Sequence, residues 1–266
     1  GDWQLRSCFK MEQRFKSLYI TTAILLACNC AGTKAGAEHT IEERFEQGMK
    51  FLEKEKYLRA QDEFTSVLIR GSGTELGDDA QYYLGEAYFL NKEYILAISE
   101  YEKLTRKMAF SPFVEEARFK ICEAYRIESP DFYHDQTYTE KALERYQEFL
   151  DDFPDSPYKN EVLSSIRILR NKVGEKEFET GILYMKMEEY ESARMVFQRV
   201  DDLYYDTNVV GDTKLWIIKA YAKDLNLEAA NQHLADYETV LKASELYDDA
   251  LASIAEAEKK ITKESN

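Results

Sequence analysis

Few side chains in this sequence are placed to do covalent or coordination chemistry. Three histidines stand at positions 39, 134 and 233, and none falls in a metal-ligand or catalytic-triad spacing. Neither GxGxxG nor GxxxxGK[ST] occurs, and the RGSGTELG stretch from Arg70 to Gly77 has no lysine to reach a phosphate. The paired carboxylates Asp78-Asp79, Asp151-Asp152 and Asp201-Asp202 fall at expected helix ends. Asp78-Asp79 suits an N-terminus, where the helix dipole favours anions, and the other two pairs read as solvated loop residues. Asp131, His134 and Asp135 lie close together in a polar insertion, a combination that is more often solvated than ligating. Of four cysteines, Cys122 sits where a small packed residue is expected, so its thiol reads as core rather than nucleophile. Cys28 is different, because it directly follows small Ala27 at the end of an apolar run. Its sulfur is a nucleophile that could carry a lipid, and cleavage ahead of it would free an amino terminus. The expectation is a protein that is not an enzyme and needs no metal or cofactor.

The elements around Cys28 form an address. Residues 1–10 read as an upstream extension, and from Met11 onward a basic patch (Arg14, Lys16) precedes an apolar stretch from Leu18 to Ala27. A run of about ten residues is the length of a signal-peptide core, since a spanning helix needs roughly 20. Leu25-Leu26-Ala27-Cys28 resembles the lipobox of bacterial lipoproteins, in which the cysteine receives a diacylglycerol and the new amino terminus is acylated. Two or more chains hold a protein firmly to a bilayer where one does so only marginally. Cys30 fits less well, with Asn29 in the small-residue slot. Cleavage before Cys28 removes 27 residues and leaves 239 of the 266. Four cations and two anions leave with the leader, so the net charge moves from −15 to −17. Such an acidic surface disfavours nucleic acid. The small, polar residues up to 38 complete a flexible leash, 28–38, between lipid and fold.

Beyond the leash, a repeat organises the chain. With 11 Gly and 4 Pro in 266 residues, and 44% apolar content, the composition favours helices over many short turn-linked strands. The tetratricopeptide pattern places Gly, an aromatic three residues on, Ala twelve on and an aromatic sixteen on, which together let two helices approach and fill the space between them. Gly48, Phe51, Ala60 and Phe64 fit it, as do Gly85, Tyr88, Ala97 and Tyr101, and Gly181, Tyr184, Ala193 and Phe197. Cys122 and Tyr125 begin a third copy that resumes at Ala142, Tyr146 and Pro154 after an insertion at 128–139, and Ile218, Tyr221, Ala230 and Leu234 make a degenerate fifth. A further tyrosine, at 57, 94 and 190, recurs three residues before the alanine. The predicted fold is all-α, a right-handed superhelical solenoid of about five helix pairs. Repeats one to three occupy 39–157. Residues 158–244 hold a long helix, with Val162, Ile166, Leu169 and Val173 at helical spacing, and repeats four and five. The Ala-, Glu- and Lys-rich end, 245–266, reads as a cap.

Stacked first helices of such repeats offer a groove for extended peptides. Three residues before each Gly slot come Phe45, Tyr82, Phe119 and Phe178, read as an aromatic stripe facing the groove. Glu86, Phe89, Lys120 and Arg126 flank it, and the cations Lys120 and Arg126 would receive a chain-terminal carboxylate.

The lipobox, the leash, the five repeats and the long helix together resemble the BamD family of outer-membrane β-barrel assembly lipoproteins. The most specific run is Leu169-Arg170, Glu177, Tyr184, Tyr190 and Ala193, closing on Tyr205-x-Thr207 where that family has Tyr-Pro-Asp-Thr, with Tyr205 here at the proline. The resemblance implies a lipid-anchored scaffold on the periplasmic face of the outer membrane. Its C-terminal repeats would dock the periplasmic domains of the barrel-forming subunit, with Phe178, Arg194 and Arg199 as candidate docking residues. Its N-terminal repeats would meet the C-terminal segments of unfolded outer-membrane proteins, and other assembly lipoproteins would be further partners. A basic docking residue of some relatives falls near Val196 here, flanked by Arg194 and Arg199. An adaptor for cell-wall enzymes or a secretion apparatus shares anchor and repeats and stays open. A glycan-capturing lipoprotein needs an inserted domain for which the chain has no room.

Overall fold

The computed structural model describes residues 39–71, 73–74 and 76–264. The leader, Cys28, Cys30 and the leash lie outside the described residues. Twelve helices are described, and the first ten form five antiparallel pairs. These are α1 (Ile41–Glu53) with α2 (Tyr57–Gly71), α3 (Leu76–Leu90) with α4 (Tyr94–Lys107), and α5 (Val114–Glu128) with α6 (Thr137–Asp152). Then come α7 (Lys159–Lys186) with α8 (Tyr190–Leu203), and α9 (Val210–Lys223) with α10 (Leu227–Asp236). Short α11 (Glu238–Ala243) leads to α12 (Tyr247–Glu264), which packs on α9 and α10. The result is an all-α solenoid of helix pairs. Among the described residues no helix is long and apolar enough to cross a membrane.

Each pair is locked by the residues the repeat specifies. Ala60, Ala97, Ala142, Ala193 and Ala230 are all fully buried where the paired helices cross. One turn further along the same helices Phe64, Tyr101, Tyr146 and Phe197 are fully buried rings. The Gly slot exists for those rings: a Cβ on Gly48 would come within 2.7 Å of Phe64, and one on Gly85 within 2.5 Å of Tyr101. At these slots an added side chain would force the facing ring to move. Cys122 takes the slot in the third pair and is buried, and burial pushes its thiol pKa well above the usual range.

Four of the five turns within pairs share one device. Glu55, Lys92, Glu188 and Leu225 each have φ between 55° and 65°, the left-handed conformation that ends a helix. The next residue's N–H then returns to a carbonyl five residues back, as in Lys56 to Phe51 at 2.8 Å and Glu93 to Tyr88 at 2.9 Å. Glu245 repeats it between α11 and α12, where the N–H of Leu246 reaches Leu241 at 2.8 Å.

At 28 residues, α7 extends about 42 Å. Its first half closes the third pair, where Val162 and Leu169 pack with Phe119, Tyr146 and Phe149. Its second half opens the fourth, where Ile182 packs with Ala193 and Phe197. One helix therefore carries the core from one set of repeats into the next. The insertion before α6 keeps Asp131, His134 and Asp135 exposed while its backbone is tied down. Gln136, 4% exposed, donates to the carbonyls of Asp131 at 2.8 Å and His134 at 3.1 Å, and Lys176 of α7 donates to the His134 carbonyl at 2.6 Å.

Candidate functional site

The aromatic stripe does not line a groove. Tyr82 is 4% exposed and Phe119 is 6% exposed, so neither is open to a ligand. Each stacks on the aromatic that precedes the next pair: Tyr82 on Phe113 with centroids 4.4 Å apart, and Phe119 on Tyr158 at 4.3 Å. Phe45 packs against Phe64 and Tyr83, and Phe178 against Phe197. The physical reason is that a helical stack must fill the space between units as well as within them, and flat rings do so with little entropy loss. The signal for the partners was present in sequence as Ser111-Pro112-Phe113 and Ser156-Pro157-Tyr158. In both, the serine Oγ accepts from the aromatic residue's own N–H, at 3.3 Å and 3.1 Å, which fixes the ring at the head of the next helix.

Glu86, Phe89 and Lys120 do come together. The Lys120 ammonium lies 3.1 Å from the Glu86 carboxylate and 4.9 Å from the Phe89 ring centroid. Glu86 also accepts from the buried Tyr101 hydroxyl. Burial, reinforced by the Glu86 charge, holds the Tyr101 phenol far above its ordinary pKa and therefore protonated. The arrangement repeats one pair later. Glu123 accepts from Tyr146 and binds the Arg126 guanidinium, with Nε at 2.9 Å. Each cation expected to receive a carboxylate thus already faces one on its own protein. Arg126 lies in this second cluster, away from the contacts that Lys120 makes.

In the fourth pair the basic residues divide. Arg194 is largely covered: its guanidinium binds Asp224 at 2.8 Å and lies 4.5 Å over the Tyr221 ring, clamping α8 to the end of α9. Half-buried Phe178 packs on Phe197 at the same pair. Arg199 is half exposed and meets Glu177 of α7, with Nε at 3.1 Å. Met195 and Leu203, four residues to either side of Arg199, are 69% and 54% exposed, so α8 presents an apolar and basic stripe. Sequence reasoning missed that stripe. Helical spacing from Arg199 would have found it.

The run that carried the family resemblance has a structural task. Arg170 of α7 grips Asp206 with Nη2 at 2.7 Å and Nε at 3.0 Å, and reaches the Leu203 carbonyl at 2.8 Å. The Thr207 hydroxyl donates to the Tyr204 carbonyl at 2.6 Å, and its side chain would meet any Cβ on Gly174 at 3.1 Å. The Arg170 hydrogen bond holds the Asp206 carboxyl below its ordinary pKa. The stability it brings is therefore present above the usual carboxylate range and lost as pH falls through the lowered value. Among the described residues no group of three His, Cys, Asp or Glu is gathered to hold a metal. In the insertion, Asp131 accepts from Tyr133 at 3.0 Å and Asp135 from the Thr137 N–H at 3.0 Å.

Comparison with known proteins adds the family. The outer membrane lipoprotein family YfiO matches residues 37–236. The outer membrane protein assembly factor BamD of Rickettsia prowazekii (strain Madrid E) is 22% identical over 205 residues, covering 74% of this chain and 79% of that protein. The BamD of Caulobacter vibrioides (strain ATCC 19089 / CIP 103742 / CB 15) is 22% identical over 216 residues, covering 78% and 71%. Among solved structures, the TPR2AB domain of yeast Sti1 in its pHSP90 complex is similar with a TM-score of 0.46 and 15% identity, covering 84% of each chain. With the family model spanning all five helix pairs, this chain belongs to the YfiO outer membrane lipoprotein family.

Proposed function

We propose that this protein is a non-catalytic, lipid-anchored scaffold of the outer-membrane β-barrel assembly machinery, tethered through Cys28 on the periplasmic face. The observation that carries the reading is the family match over residues 37–236, joined by two relatives that are both BamD assembly factors. The barrel-forming subunit, with its repeated periplasmic domains, docks on the outer face of α8 through Met195, Arg199 and Leu203. Two exposed apolar side chains around one cation offer both buried area and charge pairing to such a domain. Aromatic-ending segments of unfolded outer-membrane proteins meet the Phe89 and Lys120 cluster, whose ring is only half-buried. Other assembly lipoproteins complete the partner set.

A photo-crosslinking residue placed at Met195 tests the docking face, with Leu58 of α2, 63% exposed, as the comparison position. Adducts with a β-barrel subunit are expected at Met195 and not at Leu58. Equal adducts at both positions, or none at Met195 while the complex still co-purifies, would rule out this face.

A further inference from the structure

A second surface stands apart from both clusters. Between the ends of α7, α9 and α12 lies a cleft of about 820 Å³. Its apolar wall is half-buried Met185 and Trp216. Around these stand Lys219 and Lys223 of α9 and Lys259, Lys260 and Lys263 of α12, five of the 35 cations in a chain of net charge −15. One carboxylate, Glu256, lines the cleft with them and lies 3.1 Å from Lys223. The Lys219 ammonium sits 4.7 Å from the Trp216 ring centroid, which holds it at the wall. Helix dipoles favour cations near helix C-termini, but that accounts for lysines along an end, not for their convergence from two helices around a tryptophan.

Like charges gathered on an acidic protein repel one another unless a counter-charge is supplied. The one carboxylate in the cleft answers one of the five. We propose that this cleft binds an acidic, extended segment of a partner protein, its carboxylates facing Lys223, Lys259, Lys260 and Lys263 and one apolar side chain seated on Trp216 and Met185. The apolar wall favours a peptide over a bare anion, because Trp216 and Met185 gain only from an occupant with a side chain to bury. The site is independent of the α8 docking face, and its test can fail without touching that reading.

The probe is a fluorescein-labelled 12-residue peptide of alternating glutamate and leucine with one central phenylalanine. It is titrated by anisotropy into the full chain carrying Cys28→Ser, which removes the expected acylation. Saturable binding is expected, falling with added salt, lost when glutamine replaces glutamate in the peptide, and weakened about tenfold by Lys259→Glu/Lys260→Glu. Both lysines are exposed, and circular dichroism verifies that the double variant is folded. Absence of binding, equal binding of the glutamine peptide, or unchanged affinity in the double variant overturns the proposal. Vesicles of phosphatidylglycerol that bind with the same lysine dependence, where the peptide does not, also overturn it and assign the cleft to a membrane.

Discussion

At the scale of single residues, the strongest constraint is the missing side chain at the first slot of the first, second and fourth repeats. The Tyr101 ring is fully buried against Gly85, and its hydroxyl is held by Glu86, so it has no room to retreat from an added methyl. Gly85→Ala is expected to lower stability by about 1–3 kcal/mol, as overpacking does in a close-packed core. Gly73→Ala, with nothing within 4 Å of its Cβ position, provides the comparison and is expected to leave the thermal midpoint in place. The same scale shows what the sequence could and could not disclose. The buried alanines and rings were legible because each obeys a fixed offset inside one helix pair. The aromatic three before the slot was misplaced because its partner, Phe113 or Tyr158, lies in the following connection. Spacing within a repeat carries no information about contacts between repeats.

At the scale of elements, the helices are held in pairs by turns that accept an unfavourable backbone conformation. Lys92 is a side-chain-bearing residue at φ 65°, where a Cβ crowds the following carbonyl. Lys92→Gly relieves that crowding and is expected to raise stability by up to about 1 kcal/mol, measured by urea unfolding. A loss of stability would mean that the lysine side chain contributes more than its backbone costs. None of these turns announces itself in composition, since the residues at the left-handed position are Glu, Lys, Glu and Leu rather than glycine. The long helix was legible for the opposite reason. After Pro154 and Pro157 no proline interrupts it, and its apolar residues keep helical spacing through α7. Arg170 shows the limit of motif reading, because a residue that marks the family in sequence proves to be a brace between α7 and the connection after α8.

At the scale of the whole molecule, an acidic solenoid presents distinct surfaces along one stack. The Phe89 and Lys120 cluster belongs to the early pairs, the Met195, Arg199 and Leu203 stripe to the fourth, and the lysine cleft to the last helices. The fold and family were legible from periodicity and motif, and the α8 stripe follows helical spacing, whereas the other two surfaces depend on which neighbouring helix covers a side chain, which no linear pattern reports. Affinity purification of the full chain in mild detergent tests membership in an assembly complex most directly. Mass spectrometry of the eluate is predicted to identify a β-barrel protein with repeated periplasmic domains as a stable partner. Recovery of cell-wall enzymes, with no such barrel protein, would contradict the account.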